Sequence, residues 1–445
     1  MSRPRSIPGL ILRLARITFE RSDHRKLAMI GLATGAVFIG AGIHGLAAHR
    51  TPARQNAVTT PRSFEVRTLT LRTVHRARVG PLGSGLTIQP TLVAGNGELG
   101  LTWVDGRNGG INVYFERLTP EGRRVGNEVA LTRGAVQHLL PRIAFTGSEY
   151  GITWTDYSEE DEDLQIGFAR VGSDGAMRGE AMRISRGGGW QFGSTIATDG
   201  TRYRVAWSSV TDRGEISLRS VGITPGQRPD NDQAVGGNIL PVGLASIAWD
   251  GREYGLVYGH YDYRSERVIT RQIRLANDGR ALGQLVLGEA PANAGIYSTT
   301  RAGEGTGSAW ISLDEGGHAS LWFARTRGER VDAAARRVRQ EEVLGVPPSI
   351  AWRGADGAVA WTDGGRDRVQ TWFARVNAQG AVIGTPTSVS TGAIVFEPSL
   401  VWTGREYAMA FTRLEGQQTL SIRLARFDAE GKRVGGEVEV ARVNP

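Results

Sequence analysis

Short apolar runs alternate with glycine-bearing polar turns over residues 90–445, and one pattern returns seven times. An aromatic anchor marks each copy: Trp103, Trp154, Trp207, Tyr258, Trp310, Trp361 and Phe411. The steps between anchors are 51, 53, 51, 52, 51 and 50 residues. Upstream of each anchor lies an apolar run that usually ends in Gly, as in PRIAFTGSEY and ASIAWDGREY. A second run, 12 to 16 residues downstream, carries an arginine: Arg117, Arg170, Arg219, Arg274, Arg325, Arg375 and Arg426. In five copies a glycine follows that arginine by five residues, at Gly122, Gly175, Gly279, Gly380 and Gly431. A last run such as NEVALT or EVEVA closes the unit.

Four short runs rich in β-branched and aromatic residues, separated by Asp-Gly and similar turns, predict a four-stranded antiparallel meander with strands A to D. A period near 50 with four strands per repeat predicts a β-propeller, because one small twisted sheet cannot bury its faces alone and a ring of them can. Seven copies predict seven blades. A helical solenoid is excluded, since the runs are too short and too often broken by glycine for helices of ten or more residues. The fold class expected is all-β, a seven-bladed propeller over residues 90–445 preceded by an N-terminal transmembrane helix.

Residues 1–26 carry seven basic residues, Arg3 to Lys26, against Glu20 and Asp23. Leu27 to Ala48 follow, without a formal charge if His44 is neutral, and are long enough to span about 30 Å of hydrocarbon as a helix. The basic flank precedes the apolar stretch, so the expected orientation has the N-terminus in the cytoplasm and the ring in the periplasm or outside. The alternative is a cleaved secretory signal with its site near Ala47. Ile7, Leu10, Ile11, Leu14 and Ile17 recur at helical spacing and suit either a short amphipathic helix on anionic headgroups or a plain basic tail. Residues 49–89 read as a linker, within which Phe64 to Val74 alternate like a strand and are a candidate for closing the ring.

Charge changes the choice of partners. The whole chain is +8, but residues 1–86 hold 14 basic and 3 acidic residues, which leaves the ring at −3. The basic footprint is therefore on the membrane-proximal segment, and no nucleic-acid partner is expected. The absence of cysteine excludes disulfides, thiolate metal sites and a cysteine nucleophile.

A residue found in most copies serves the copy, so the anchors are expected to pack between adjacent sheets. The strand C arginines, with Asp105, Asp156 and Asp363 two residues after their anchors, are expected to form cross-strand pairs. Departures from the repeat are the functional candidates, in loops at the end of the ring where strands B and C, and D and A, connect. Trp190 and Phe192 stand among glycines and suit stacking on a sugar or gripping a peptide, the alternative being that they fold inward. His260, Tyr261, Asp262, Tyr263 and Arg264 gather an imidazole, a carboxylate and two phenols as a pocket rim, the alternative being a decorated hairpin. Asp156, Glu159, Asp161 and Asp163 form an acidic run that could hold Ca²⁺, although its order lacks the alternate spacing and glycine of a DxDxDG loop. His138 and His318 could join His260 as metal ligands only if three copies converge over the axis.

The ring resembles bacterial exported β-propeller repeat proteins with an apolar strand, a Gly turn, a W-x-D step and FARV-x-x-x-G, here AFTGSEYGITWTD with GFARVGSDGAMRG. The resemblance covers about 355 residues and implies fold rather than activity. WD40, kelch, Asp-box and tryptophan-docking signatures are lacking, so no active site is carried over from those propellers. The function expected is a non-enzymatic binding or scaffolding module for a protein, peptide or envelope glycan, with no cofactor. The alternative is a carbohydrate-active hydrolase or lyase using Asp156, Asp262, Asp314 or Glu397 at the channel mouth, which requires a carboxylate pair about 5 to 10 Å apart.

Overall fold

The computed structural model describes residues 88–443, apart from 135, 159–162, 237–240, 263, 266, 291–293, 314–318, 341–345, 366–367, 391–392 and 416–418. The expected tail 1–26, apolar anchor 27–48 and strand-like segment 64–74 lie outside the described residues. Among the described residues every named element is a strand, and no helix is long and apolar enough to cross a membrane.

The 28 strands fall into consecutive antiparallel meanders, as the spacing of apolar runs predicts. In sheet 1, Thr91–Gly95 pairs with Glu98–Asp105, that strand with Asn112–Leu118, and the last with Val129–Ala130. The A strands of sheets 2 to 7 are Gln137–Phe145, Trp190–Thr198, Pro241–Trp249, Ala294–Arg301, Ser349–Arg353 and Val395–Trp402. Each A strand packs against the A strand of the next sheet, and that of sheet 7 against that of sheet 1. The sheets therefore close a ring with the A strands innermost. Sheets 4 and 5 are also joined by one parallel bridge, Leu244 to Ile296, into a continuous eight-stranded sheet. Glycine permits that approach: a Cβ on Gly243 would lie 1.8 Å from the Gly295 carbonyl oxygen.

The cores lie between neighbouring sheets. All seven anchors are no more than 2% exposed, and each buried aromatic of this kind contributes roughly 1.5–3 kcal/mol through burial. Trp103 shares its cluster with Ala408, Ile422 and Leu424 of sheet 7, so the same packing joins the first and last sheets. The five glycines after the strand C arginines all adopt left-handed backbone in the C–D turn. At Gly380 this conformation coincides with close nesting, since a Cβ would fall 2.3 Å from the Phe323 ring of the preceding sheet.

The strand C arginines do pair across to strand B, but not with the Asp that follows the anchor. Arg117 binds Glu98 at 2.8 Å, Arg170 binds Glu149 at 3.3 Å, Arg274 binds Glu253 at 2.6 Å and Arg426 binds Glu406 at 3.0 Å. Arg375 pairs in the same way with Asp356. Antiparallel register is the reason. Asp105 stands opposite Asn112 at the loop end of the ladder, whereas Arg117 stands opposite Gly100 near the other end. In these five sheets the partner acid lies five residues before the anchor, a periodic signal visible in GNGE98, GSE149 and GRE253.

A hydroxyl relay locks the A strands together. The main-chain N–H of Ile247 donates to Thr195 Oγ1 (3.1 Å), Thr299 to Ser246 Oγ (3.0 Å), Ile350 to Ser298 Oγ (3.3 Å) and Leu400 to Ser349 Oγ (2.8 Å). Leu92 N–H donates to Ser399 Oγ at 2.9 Å and carries the relay across the seam from sheet 7 to sheet 1. Each bond contributes a net stabilisation of about 1 kcal/mol. Sheet 2 breaks the pattern, with Arg142 at the hydroxyl position.

Candidate functional site

Two layers of the ring axis differ in chemistry. The first lies toward the loop-bearing end, where Gln89, Leu140 and Glu397 adopt left-handed backbone with φ of 52°, 56° and 57°. Each precedes a proline, Pro90 just before the A strand of sheet 1 and Pro141 and Pro398 within those of sheets 2 and 7, and each such non-glycine conformation costs of order 1–3 kcal/mol. Hydrogen bonds hold them in place. Gln89 N–H donates to Glu397 Oε2 (3.1 Å), the Thr412 hydroxyl donates to the same oxygen (2.8 Å), and Leu140 N–H donates to Gln89 Oε1 (2.7 Å). One chain of polar contacts thus crosses sheets 7, 1 and 2. All three residues are buried. Burial pushes the Glu397 carboxyl up to about 7, while Thr412, the Gln89 N–H and the Arg142 guanidinium pull it down. Its Oε1 is buried with no hydrogen-bond partner among the described residues.

The second layer is a cavity of about 510 Å³ at the opposite end, where the A–B hairpins turn. Sheets 1, 5, 6 and 7 line it, through Ala94, Arg301, Ile350, Trp352, Leu400 and Trp402 among others. The cavity has a cause in the repeat. The A-strand position paired with the residue four before the anchor is aromatic in sheets 2, 4, 6 and 7, as Phe145, Trp249, Trp352 and Trp402. In sheets 1 and 5 the equivalent residues are Ala94 and Arg301, so the girdle of large rings is interrupted on either side of Trp352 and Trp402. Both indoles are braced from behind. Trp352 stacks on Phe323 at 5.9 Å, and Trp402 sits on Tyr407 at 4.8 Å with the Arg353 guanidinium 5.6 Å from its ring.

No family model matches the chain. No curated protein matches it either. Among solved structures, Trypanosoma rangeli sialidase in complex with the inhibitor DANA superposes with a TM-score of 0.44 at 12% identity, over 68% of this chain and 57% of that one. The β-propeller domain of the Trilobed protease from Pyrococcus furiosus gives 0.41 at 8% identity, over 69% of this chain and 95% of that one. Pyrococcus horikoshii acylaminoacyl peptidase gives 0.41 at 12% identity, over 69% and 46%. The chain thus spans little more than half the length of the sialidase. These similarities are of chain path, and no residue role passes from those proteins to this β-propeller.

The loop candidates are placed as follows. Trp190 opens the A strand of sheet 3 rather than riding a free loop, and Phe192 is buried with Leu164, Val210 and Ile216. The strand Tyr254–Asp262 runs on through His260 and Tyr261, and Tyr261 packs on the cluster around Trp310. Asp262 caps the turn, accepting from the Ser265 hydroxyl (2.6 Å) and the Arg264 N–H (3.3 Å), and those bonds hold its carboxyl below the usual range. Burial and Arg271 push His260 down. Arg264 is exposed, and Tyr263 lies outside the described residues. This is a hairpin built for its own turn, not a converged rim.

The acidic run is dispersed by its partners. Asp156 Oδ1 meets both the Trp154 indole N–H (2.5 Å) and His138 Nδ1 (2.6 Å), and Asp163 accepts from Gln165 Nε2 at 2.7 and 2.9 Å. Glu159 and Asp161 lie outside the described residues, as do Asp314 and His318. Among the described residues no three acidic or histidine side chains group as metal ligands. Sequence reasoning missed the axial cavity altogether, although the alternation of Ala94, Phe145, Thr198, Trp249, Arg301, Trp352 and Trp402 was legible once the copies were laid in register.

Proposed function

We propose that this chain is a non-enzymatic binding module: a closed seven-bladed propeller that takes part of a protein, peptide or envelope glycan into its axial cavity. The observation that carries this reading is the 510 Å³ cavity walled by four different sheets, with two braced indoles in its lining. Concave, mostly apolar sites with a few convergent polar groups are where proteins hold ligands. Among the described residues Glu304 is the one carboxylate in its lining, and it pairs with Arg327 at 3.6 Å. Glycoside hydrolysis needs two carboxylates flanking one bond, so binding is favoured over the hydrolase reading.

Residues 27–48 tether the ring to the cytoplasmic membrane, with the ring on the far side. The support is the uncharged 22-residue stretch behind a basic flank. The test is capture of envelope components by the full-length protein in lipid nanodiscs. Loss of capture in Trp402→Ala with retention in Tyr261→Ala supports the axial mouth. The reverse pattern moves the site to the loop-bearing end, and turnover of a glycoside panel overturns the non-enzymatic reading.

A further inference from the structure

Charge around the cavity mouth is unbalanced, although the ring as a whole is slightly acidic. The A–B hairpins carry acids, but local cations and backbone donors occupy them. Glu253 is held by Arg274 (2.6 Å), Glu406 by Arg426 (3.0 Å) and Asp356 by Arg353 (3.0 Å) and Arg375. Asp250 accepts the N–H groups of Arg252 (2.7 Å) and Glu253 (2.8 Å) within its own turn. Glu304 faces Arg327, as above.

The cations of the same mouth are left over. Arg301 is exposed and lines the cavity, and its Nε donates only to the Gly303 carbonyl at 3.1 Å. Among the described residues it has no carboxylate partner. Arg252 and Arg405, in the hairpins of sheets 4 and 7, are exposed and likewise have none there. The guanidinium of Arg301 reaches beyond its own sheet. It lies over the hairpin of sheet 4, where a Cβ on Gly251 would fall 2.9 Å from its Nη2. Ile350, Leu400 and the two indoles line the same cavity as Arg301. An unpaired guanidinium lining the same cavity as an apolar wall matches a solute with an anionic head and an apolar body, since such a head offers charge-assisted acceptors to its N–H fork.

We propose that the axial cavity selects amphipathic anions, with a carboxylate or phosphate head on Arg301 and the apolar body against Trp352, Trp402, Ile350 and Leu400. This rests on the cavity being the ligand site. Phenylbutyrate and phenylbutyramide, matched in shape and differing in charge, are titrated into the full-length protein by calorimetry. Phenylpropyl phosphate as a third probe separates phosphate from carboxylate heads. The expected result is about a tenfold preference for an anion over the amide, the size of one charge-assisted hydrogen bond. In Arg301→Gln that preference falls to about one while amide binding is unchanged, and because Arg301 is exposed the melting temperature stays put. Equal binding of amide and anions in the unaltered protein overturns the anion preference but leaves the cavity as the site. A tenfold anion preference that persists in Arg301→Gln overturns the head-group assignment, and binding that is not weakened in Leu400→Ala places the probe elsewhere and overturns both. No binding of any probe also overturns both.

Discussion

Gln89 and Glu397 stand 308 residues apart and meet at 3.1 Å, main-chain N–H to carboxylate, where the ring closes. Both sit in left-handed backbone immediately before a proline. The seam they join is completed by the Leu92 to Ser399 bond and by Arg124 Nη2 donating to the Val440 carbonyl at 2.9 Å. Among the described residues sheet 7 is built from four consecutive strands, and these contacts to sheet 1 all involve a side chain.

Stability should fall as pH rises through this seam's range. Glu397 and Glu116 are both buried in sheets 7 and 1, and burial raises each from 4.5 to about 7. A folded pKa above the unfolded one favours the protonated fold, so this contribution is full below about pH 4.5 and lost by pH 7. Each shift corresponds to about 3 kcal/mol as an order of magnitude. Glu397→Gln keeps an acceptor for Gln89 and Thr412 while removing the charge. Urea titrations should show the variant close to the unaltered protein at pH 5 and more stable at pH 8. A constant difference at both values would show that Glu397 does not titrate in this range.

The hydroxyl relay predicts equal costs at the two seams that flank sheet 7. Ser399→Ala and Ser349→Ala each remove one acceptor from a buried N–H and should lower stability by about 1–2 kcal/mol. If Ser399→Ala cost nothing while Ser349→Ala cost the expected amount, the bond at the seam between sheets 7 and 1 would carry no load in closure.

Two glycines with the same backbone angle should respond differently. Gly97 and Gly380 both have φ near +74°, but a Cβ on Gly97 meets nothing within 4 Å and one on Gly380 meets Phe323 at 2.3 Å. Gly97→Ala should cost about 1–2 kcal/mol, the left-handed strain alone. Gly380→Ala should cost that plus about 1–3 kcal/mol of overpacking. Chemical denaturation of the pair reads the difference directly.

The sheet-internal ion pairs should matter little. Arg117 and Glu98 are both part-exposed at 2.8 Å, so Glu98→Gln should cost under about 1 kcal/mol, and less in high salt. A cost of several kcal/mol would mark the pair as effectively desolvated.

Much of the fold was legible because it is local. The anchors, the strand C arginines and the turn glycines recur at fixed spacing, and each acts within one meander or against its neighbour. The charge partners were misassigned for a short-range reason: Asp105 and Arg117 sit at opposite ends of one antiparallel ladder, and composition does not show register. A polar-aromatic run such as His260 to Arg264 reads the same in sequence whether it lines a pocket or, as Asp262 does here, caps its own turn.

The sequence by itself determined the repeat, the all-β class and the strand order within each sheet, since these follow from apolar spacing and turn chemistry over fewer than 50 residues. Tertiary structure decided which copies touch across the axis. The cavity exists because Ala94 and Arg301 flank Trp352 and Trp402. The strained contact of Gln89 with Glu397 exists because the ends of the ring meet. Both are relations between residues far apart in the chain, and closing the ring is what brings them within contact distance.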